Sequence, residues 1–349
     1  MRYLLWMTLY QVFFMHKAIY HVVDEAVEYA KQAKGQGTAN FVNAVLRRSI
    51  REREGLALPI DPVARLSIQY SFPLWLVRRW HGRFGLEHVT ALLDLLNRSP
   101  EFGLRVDVGR ITGAAVKQRL ACLGIDARDG RYVEGALCVD RIGPLLTDAL
   151  FTTHLVRVQD ETSQMAVLAL APSPGNLILD ACAGQGTKTG QIRETSPGAR
   201  IVAMDLDGEK LRTIGATAWL TQADATKNPF KKGRFDSILL DAPCSALGVV
   251  RKHPEIRWRR REGDIVRHGA MQREMVRALS GSLKPGGRLV YSVCSFEPEE
   301  TLDVVNEFVE EGSLVLEKSL PAAADTPWFL SLPHVTGMDG FFIARLRKA

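Results

Sequence analysis

Apolar residues in the first 57 positions recur every three or four residues, which is the spacing of amphipathic helices. Three helices are predicted from this pattern, with apolar positions Leu5, Leu9, Val12 and Phe13, then Val23, Ala26, Val27 and Ala30, then Phe41, Val42, Val45 and Leu46. Gly35 and Gly37 separate the second helix from the third. We therefore predict a helical domain over residues 1–57, and its abrupt start at residue 2 indicates a shortened version of a larger bundle.

The pattern is mixed over residues 58–158. Two prolines in the segment 58–62 exclude a continuous helix and indicate a linker. The elements predicted after it are helices at about 71–80 and 86–97, strands near 104–106, 132–139 and 155–158, and short helices near Val116 and Leu145. This order predicts a small α+β domain of a kind that often binds RNA, although a spacer domain fits the pattern equally well.

From residue 159, short apolar runs alternate with helical spacing, as in a doubly wound α/β domain. The predicted strands are Leu177–Leu179, Ile201–Met204, Ile238–Leu240 and Leu289–Tyr291, with Gly340–Leu346 as an edge strand. Polar residues follow several of these strands. We therefore predict that residues 159–349 bind a nucleotide-like ligand at the carboxyl edge of a sheet.

The composition of the chain says more about its binding partners than about its fold. The chain carries a formal net charge of +6 with a pI near 9.1, which favours an anionic partner such as nucleic acid. Five cysteines without a C-x-x-C pair indicate reduced thiols in the cytoplasm and no metal site. The first fifteen residues are apolar but too short to span a membrane, so no membrane association is predicted. We expect a monomer.

A glycine-containing turn leads from the first strand of the α/β domain into a helix. Its residues are Ala181, Cys182, Ala183, Gly184, Gln185, Gly186, Thr187 and Lys188. Glycines let the backbone approach a ligand, and a helix N-terminus presents amide donors, while Asp180 either orients this turn or contacts the ligand. Asp205 ends the next strand about 20 residues later, where an acid binds ribose hydroxyls, and Asp224 could accept a hydrogen bond from an adenine amino group. Dinucleotides and methylated nucleoside cofactors both fit these residues.

Two cysteines follow the ends of two later strands. Cys244 comes three residues after Asp241, and Cys294 lies in the segment YSVCS. Methyltransferases that act on amino groups usually carry an aromatic residue where this chain has Cys244, so a carbon acceptor is favoured. Carbon 5 of cytosine becomes nucleophilic when a thiolate adds to carbon 6, and a nearby carboxyl group stabilises the charge that develops at N3. One cysteine and Asp241 suffice for methyl transfer, and the second cysteine can assist departure of the enzyme.

A basic run with one tryptophan follows Cys244. Its members are Arg251, Lys252, His253, Arg257, Trp258, Arg259, Arg260 and Arg261. Positive charge beside an aromatic ring suits a polyanion with exposed bases, although packing is an equally good interpretation of Trp258.

These segments together resemble one known family. The RNA cytosine-C5 methyltransferases of the RsmB (Fmu, Sun) type, which modify 16S ribosomal RNA, have motifs similar to DACAGQGTKT, VAMDLD, LLDAPCSALGVVRKHPEIRW, LVYSVCS and GMDGFFIARL. The likeness covers nearly the whole chain, including FVNAVLRR, which resembles the end of a NusB-like domain. It implies an α/β, Rossmann-like domain that binds S-adenosylmethionine, preceded by the small α+β domain and a truncated, helical NusB-like domain.

The resemblance also implies roles for individual residues. By position, Cys294 is the nucleophile, Cys244 the cysteine that assists release, and Asp241 the acid at the base. The implied cofactor contacts are Cys182, Ala183, Gly184, Gln185, Gly186, Thr187 and Lys188 around the methionine part, Asp205 at the ribose, Asp224 at the adenine, and Asp241. The substrate is then a cytosine in 16S rRNA, methylated through a covalent thiolate adduct at carbon 6.

Two alternatives remain at this point. The chain has CAGQGTK where the family usually has CAAPGGK, and its NusB-like part lacks most of the first helices. These departures motivate a rival hypothesis, an RNA-binding ribosome assembly factor with a decayed cofactor site. DNA cytosine methylation is disfavoured, because enzymes of that class are expected to use the cysteine after the fourth strand as nucleophile and do not need the segment YSVCS.

Overall fold

The computed structural model describes residues 1–55, 57–318, 320 and 325–349. The chain divides into two compact units, Met1–Arg65 and Leu66–Ala349. The domain boundaries after residues 57 and 158, which rest on the sequence pattern, stay predictions.

The first unit contains the three predicted amphipathic helices. They are α1 (Arg2–Phe13), α2 (Ile19–Lys34) and α3 (Gln36–Arg51). Their apolar faces pack around the buried residues Val23, Ala26, Ala30, Val42 and Leu46. Most of the apolar positions that predict these helices therefore lie in this core or pack against it. Phe41 does not, because it is 58% exposed, so the prediction that it faces inward is wrong.

Two helices precede the small sheet, α4 (Pro62–Gln69) and α5 (Leu74–Asn97). Gly85 interrupts α5 with a φ of 78°, a left-handed value that favours glycine, so α5 consists of two helical stretches as predicted. The first stretch buries Trp80 completely, and its indole Nε1 donates a hydrogen bond to Glu297 at 2.7 Å. This bond joins α5 to the segment that follows Cys294.

The small sheet has four antiparallel strands in the order β2-β3-β1-β4. Its elements are β1 (Phe102–Val106), α6 (Gly113–Cys122), β2 (Ala127–Asp129), β3 (Ala136–Val139), α7 (Ala149–Thr152) and β4 (Val156–Val158). Two details differ from the sequence prediction. The strand predicted over 132–139 begins only at Ala136, and β2 was not predicted because it is short and mostly exposed, which leaves little apolar signal.

The large sheet has the order β10-β12-β9-β8-β5-β6-β7, with β11 paired to β12. Its strands are β5 (Leu177–Asp180), β6 (Arg200–Asp205), β7 (Trp219–Gln222), β8 (Phe235–Asp241), β9 (Leu283–Val293), β10 (Leu314–Glu317), β11 (Trp328–Ser331) and β12 (Phe341–Lys348). Its helices are α8 (Glu161–Leu170), α9 (Thr187–Thr195), α10 (Gly208–Arg212), α11 (Ile256–Arg259), α12 (Glu262–Ser280), α13 (Leu302–Glu310) and α14 (Pro333–Thr336). The prediction of an edge strand over Gly340–Leu346 is wrong, because β12 has paired strands on both sides.

Helices cover both faces of the large sheet. Ile238 and Leu240 on β8 pack into one core with side chains of α12 and α13, whereas Leu239 packs into a second core with side chains of α8 and α9. Strands β5 to β9 run parallel, so their carboxyl ends lie along one edge of the sheet. The predicted α/β, Rossmann-like fold is thereby confirmed. In the described part of the chain, no helix is both long and apolar enough to cross a membrane.

At this edge of the sheet, the loop that contains Gly248 forms backbone hydrogen bonds with the segments that contain Cys294 and Gly340. The amide of Gly248 donates to the carbonyl oxygen of Cys294 at 3.1 Å, and the amide of Gly340 donates to the carbonyl oxygen of Gly248 at 2.9 Å. A Cβ atom at position 248 would collide with the backbone of Gly340. The close approach therefore requires glycine at this position.

We predict that Gly248→Ala lowers the free energy of unfolding by about 1–3 kcal/mol, because the loops must separate to admit a methyl group. Urea-induced unfolding followed by circular dichroism measures the change. Gly263→Ala in α12 is the matched control, since a Cβ there meets open space. Equal stability of Gly248→Ala and wild type would contradict the packing described.

Candidate active site

Two thiols meet at the carboxyl edge of the large sheet. Cys244 follows β8 and Cys294 follows β9, and these neighbouring parallel strands align Asp241 with Ser292. The two Sγ atoms are 3.2 Å apart. The parallel register thus brings together two cysteines that are fifty residues apart in the chain.

The two thiols have different surroundings. Cys244 is 8% exposed, whereas Cys294 is partly exposed. The hydrogen bond with Cys294, together with burial, raises the pKa of the Cys244 thiol well above its ordinary value. Cys244 therefore stays protonated at neutral pH.

A buried carboxylate links the residues that follow the two cysteines. Glu300 accepts hydrogen bonds from the amide and hydroxyl of Ser245, both at 2.6 Å, and from the hydroxyl of Ser295 at 2.5 Å. Its side chain is fully buried, and burial raises its pKa. Glu300 holds both cysteine loops, a role that sequence reasoning missed. The available signal was an acidic segment, Glu297 to Glu300, just after Cys294.

Asp241 is held from two sides. Its Oδ2 atom accepts a hydrogen bond from Lys188 Nζ at 2.5 Å, and its Oδ1 atom accepts one from the Ser292 hydroxyl at 2.8 Å. Sequence reasoning grouped Lys188 with the cofactor turn, whereas its side chain in the structure forms an ion pair with Asp241. The carboxyl group of Asp241 is therefore oriented before any ligand arrives.

A cavity of about 440 Å³ opens beside Asp241. It is lined by Val158, Gln159, Asp160, Ser163, Asp180, Cys182, Ala183, Gly184, Gln185, Thr187, Lys188, Lys210 and Asp241. The lining contains most of the predicted turn, in which Gly184 and Gly186 have left-handed φ values of 54° and 81°. Cys182 lies in this lining, and burial raises the pKa of its thiol.

Asp180 lies at the base of this cavity and is completely buried. Its Oδ2 atom accepts a hydrogen bond from the Thr189 hydroxyl at 2.6 Å, whereas Oδ1 has no hydrogen-bond partner among the described residues. Burial raises the pKa of Asp180 to about 6. A buried acceptor without a partner is costly unless it receives a proton or a donor, so Asp180 has one oxygen that orients the turn and a second that is free to accept a donor group.

The other two predicted cofactor acids lie outside the cavity lining. Asp205 ends β6 and accepts hydrogen bonds from the amides of Gly184, at 2.8 Å, and Asp207, at 2.9 Å. Asp224 accepts from the amide and hydroxyl of Thr226, at 2.9 and 2.7 Å, and the hydroxyl contact lowers its pKa. Asp205 thus stabilises the glycine turn, and Asp224 caps the short helical turn after β7. Within the described ranges, no cluster of three or more potential metal ligands is present.

We predict that Asp180→Asn flattens the pH dependence of stability. Burial raises the pKa of Asp180 in the folded state, so the folded protein binds this proton more tightly than the unfolded chain does. The free energy of unfolding therefore falls as the pH rises from about 4, the ordinary pKa of an aspartate, through about 6, its pKa in the folded state. The wild type should lose about 2–3 kcal/mol of unfolding free energy through this group, and the variant should not. Urea unfolding from pH 4 to pH 7 measures the difference. Asp126→Asn, at an exposed position, should behave as wild type, and parallel curves for Asp180→Asn and wild type would refute the prediction.

We predict that Glu300→Gln separates the two thiols. An amide offers one acceptor oxygen where the carboxylate offers two, so at least one of the three hydrogen bonds to the loops is lost and their positions shift. Oxidation of Cys244 and Cys294 to a disulfide by diamide should slow several-fold, as measured by mass spectrometry after alkylation. Glu299→Gln is the matched control, because Glu299 pairs with Arg79 at 2.5 Å and has no hydrogen bond to either cysteine loop. Equal oxidation rates for the two variants would exclude the linking role of Glu300.

Comparisons with known proteins agree with this architecture. Residues 167–347 match the family model described as 16S rRNA methyltransferase RsmB/F. Residues 1–51 match the NusB family, and residues 72–145 match the ferredoxin-like domain of RsmF/B-like methyltransferases. The three matches follow the order of helical unit, small sheet and large sheet.

Individual relatives extend over nearly all of the chain. It is 36% identical to ribosomal RNA small subunit methyltransferase B of Vibrio cholerae, across 97% of this chain and 79% of the relative. It is 34% identical to the probable ribosomal RNA small subunit methyltransferase B of Bacillus subtilis, across 99% of this chain and 82% of the relative. The fold is similar to that of a methyltransferase homologue from Pyrococcus horikoshii, with a TM-score of 0.70 and 24% identity, over 83% of this chain and 100% of that one. The chain therefore belongs to the 16S rRNA methyltransferase RsmB/F family.

Proposed function

We propose that the protein methylates carbon 5 of a cytosine in 16S rRNA, with Cys294 as the nucleophile that adds to carbon 6. The observation that carries this proposal is the pair of thiols 3.2 Å apart, beside an oriented carboxyl group at the rim of the cofactor cavity. A nucleophilic thiol that adds to carbon 6 must later leave the same carbon. A second sulfhydryl group beside it can give a proton to the departing sulfur.

The different surroundings of the thiols support their assignment. Cys294 is partly exposed and can reach a substrate, while Cys244 is buried and has a raised pKa. The Cys244 sulfhydryl therefore donates toward the sulfur of Cys294. In the proposed reaction the sulfur of Cys294, as a thiolate, adds to carbon 6 of the ring, which forms a carbon–sulfur bond and moves electron density to carbon 5 and N3.

Asp241 and Lys188 stabilise that charge. Lys188 Nζ donates to the Asp241 carboxylate at 2.5 Å, and we assign this pair to N3, where it supplies a proton as the ring accepts electrons. Ser292 holds the other carboxyl oxygen and keeps the group in position. Carbon 5 of the enamine-like ring is then the nucleophilic atom that takes the methyl group.

S-adenosylmethionine, when bound, supplies the electrophilic methyl group. We assign the turn from Cys182 to Lys188 and the orphan oxygen of Asp180 to its methionine part, Asp205 to its ribose and Asp224 to its adenine. After methylation, a water molecule acting as a base takes the proton from carbon 5, the electrons of that bond restore the double bond to carbon 6, and Cys294 leaves with the electrons of the carbon–sulfur bond. The proton at N3 returns to the pair of Asp241 and Lys188. Cys244, 3.2 Å away, shares its proton with the departing sulfur.

Transfer of tritiated methyl groups to unmodified small-subunit rRNA, with mapping of the labelled base, tests the proposal. Label on carbon 5 of one cytosine is the expected result. Absence of both transfer and calorimetric cofactor binding would favour the rival hypothesis, an RNA-binding assembly factor with a decayed cofactor site.

We predict opposite effects for the two cysteine variants. Cys294→Ala should lower methyl transfer by about 1,000-fold or more and form no covalent RNA adduct, because the nucleophile is lost. Cys244→Ala should accumulate the adduct, visible as a shifted band in denaturing gels, because departure of Cys294 is slowed. Cys122→Ala, at an exposed position on α6, should match wild type in both assays. Adduct accumulation by Cys294→Ala instead of Cys244→Ala would reverse the assignment.

A further inference from the structure

The basic run after Cys244 divides into an internal and an external part. Arg257 is buried, its guanidinium carbon lies 3.7 Å from the centre of the Phe72 ring, and it donates a hydrogen bond to Asn97 at 2.7 Å. Arg251 and Lys252 also bond other segments of the second unit. The sequence prediction that the whole run faces a polyanion is wrong for Arg257, because its side chain is buried. Arg251 and Lys252 are half-buried, and the prediction stays untested for them.

The external part continues onto the next helix. Arg259 and Arg261 are exposed, Arg267 on α12 has a side chain 77% exposed, and Trp258 is 62% exposed. We call these four residues the arginine surface. The three arginines line a shallow cavity with a volume of about 570 Å³. Its lining residues are Arg259, Arg260, Arg261, Asp264, Arg267, His268 and Met271. Arg267 belongs to a separate helix and was not part of the predicted basic run.

The arginine surface keeps a net positive charge. Within the described ranges, Arg259 and Arg261 have no ion-pair partner, whereas Arg267 pairs with Asp264. The neighbouring acid Glu262 lies 4.0 Å from Arg79. The surface therefore presents more positive than negative charge and has two arginines available for an anionic ligand.

Two hydrogen bonds join this region to the loop that carries Cys244. Arg260 Nε donates to the carbonyl oxygen of Ser245 at 2.8 Å, and Gln272 on α12 donates to the carbonyl oxygen of Pro243 at 2.9 Å. These carbonyl groups belong to the residues on either side of Cys244 in the chain. The helix region that carries the arginine surface is thus bonded directly to the loop that carries Cys244.

We propose that the arginine surface binds the RNA strand next to the target cytosine, with its arginines on phosphates and Trp258 stacked on a flanking base. The identity of the target base rests on the proposed function, whereas the contact with a single strand rests on the arginine surface itself. Arginine matches phosphate geometry, and an exposed indole offers a platform for any unpaired base. A single strand at this position can present one base to the thiols while its neighbours remain bound.

Fluorescence anisotropy with a labelled single-stranded RNA oligonucleotide and the full chain tests the proposal. The triple variant Arg259→Gln, Arg261→Gln and Arg267→Gln should bind about 10- to 100-fold more weakly at low salt, and the slope of log affinity against log salt should fall by about 2. The matched control removes three charges at the opposite edge of the sheet, just before β8, by Lys231→Gln, Lys232→Gln and Arg234→Gln. It should bind within twofold of wild type.

Trp258→Ala separates stacking from charge. It should weaken binding about tenfold and leave the salt slope unchanged, because it removes a base contact and no phosphate contact. Unchanged affinity of both the triple variant and Trp258→Ala, or equal losses in the triple variant and its control, would overturn the proposal.

The methyl-transfer assay distinguishes this proposal from the preceding one. If wild type transfers methyl groups and the triple variant does so with unchanged KM, the proposed RNA-binding role of the arginine surface is wrong and the proposed function stands. If wild type transfers no methyl groups but the RNA affinity of the triple variant falls as expected, the proposed function fails and the RNA-binding role of the arginine surface is retained.

Discussion

The parallel pairing of β8 with β9 is the constraint on which the site depends. It aligns Asp241 with Ser292, so the residues that continue from the two strands leave the sheet at the same level. Cys244 and Cys294 come at short intervals after those positions, which explains the 3.2 Å between their sulfur atoms. A slip of the register would turn alternate side chains to the other face and separate the thiols.

Buried carboxylates turn this alignment into a rigid site. Glu300 is fully buried and would be costly to ionise without donors, but three hydrogen bonds from Ser245 and Ser295 offset that cost. Glu297, also fully buried, accepts bonds from Trp80 and Arg79 on α5. The segment that contains both glutamates is thereby fixed on one side to the thiol loops and on the other to α5.

The small sheet is coupled to the cofactor turn by another buried charge. Arg105 on β1 forms a salt bridge with Glu194 at 2.8 Å and donates to the carbonyl oxygen of Thr187 at 3.1 Å. Thr187 is the first residue of α9, directly after the glycine turn. The ferredoxin-like part of the chain therefore helps to position the end of the loop that we assign to the cofactor.

The sequence alone determined the fold class, the family and the types of the strongly apolar elements, because periodicity records which side of an element is buried and because the motifs are local. It also placed Asp241, Cys244 and Cys294 at strand ends. It did not predict the short or exposed strands β2 and β7, whose apolar signal is weak. Only the tertiary structure decided that Lys188 pairs with Asp241, that Glu300 links the cysteine loops, and that Arg257 is buried while Arg259 is exposed. Those outcomes depend on how distant segments meet across the sheet edge, and the spacing of residues within one element carries no information about such contacts.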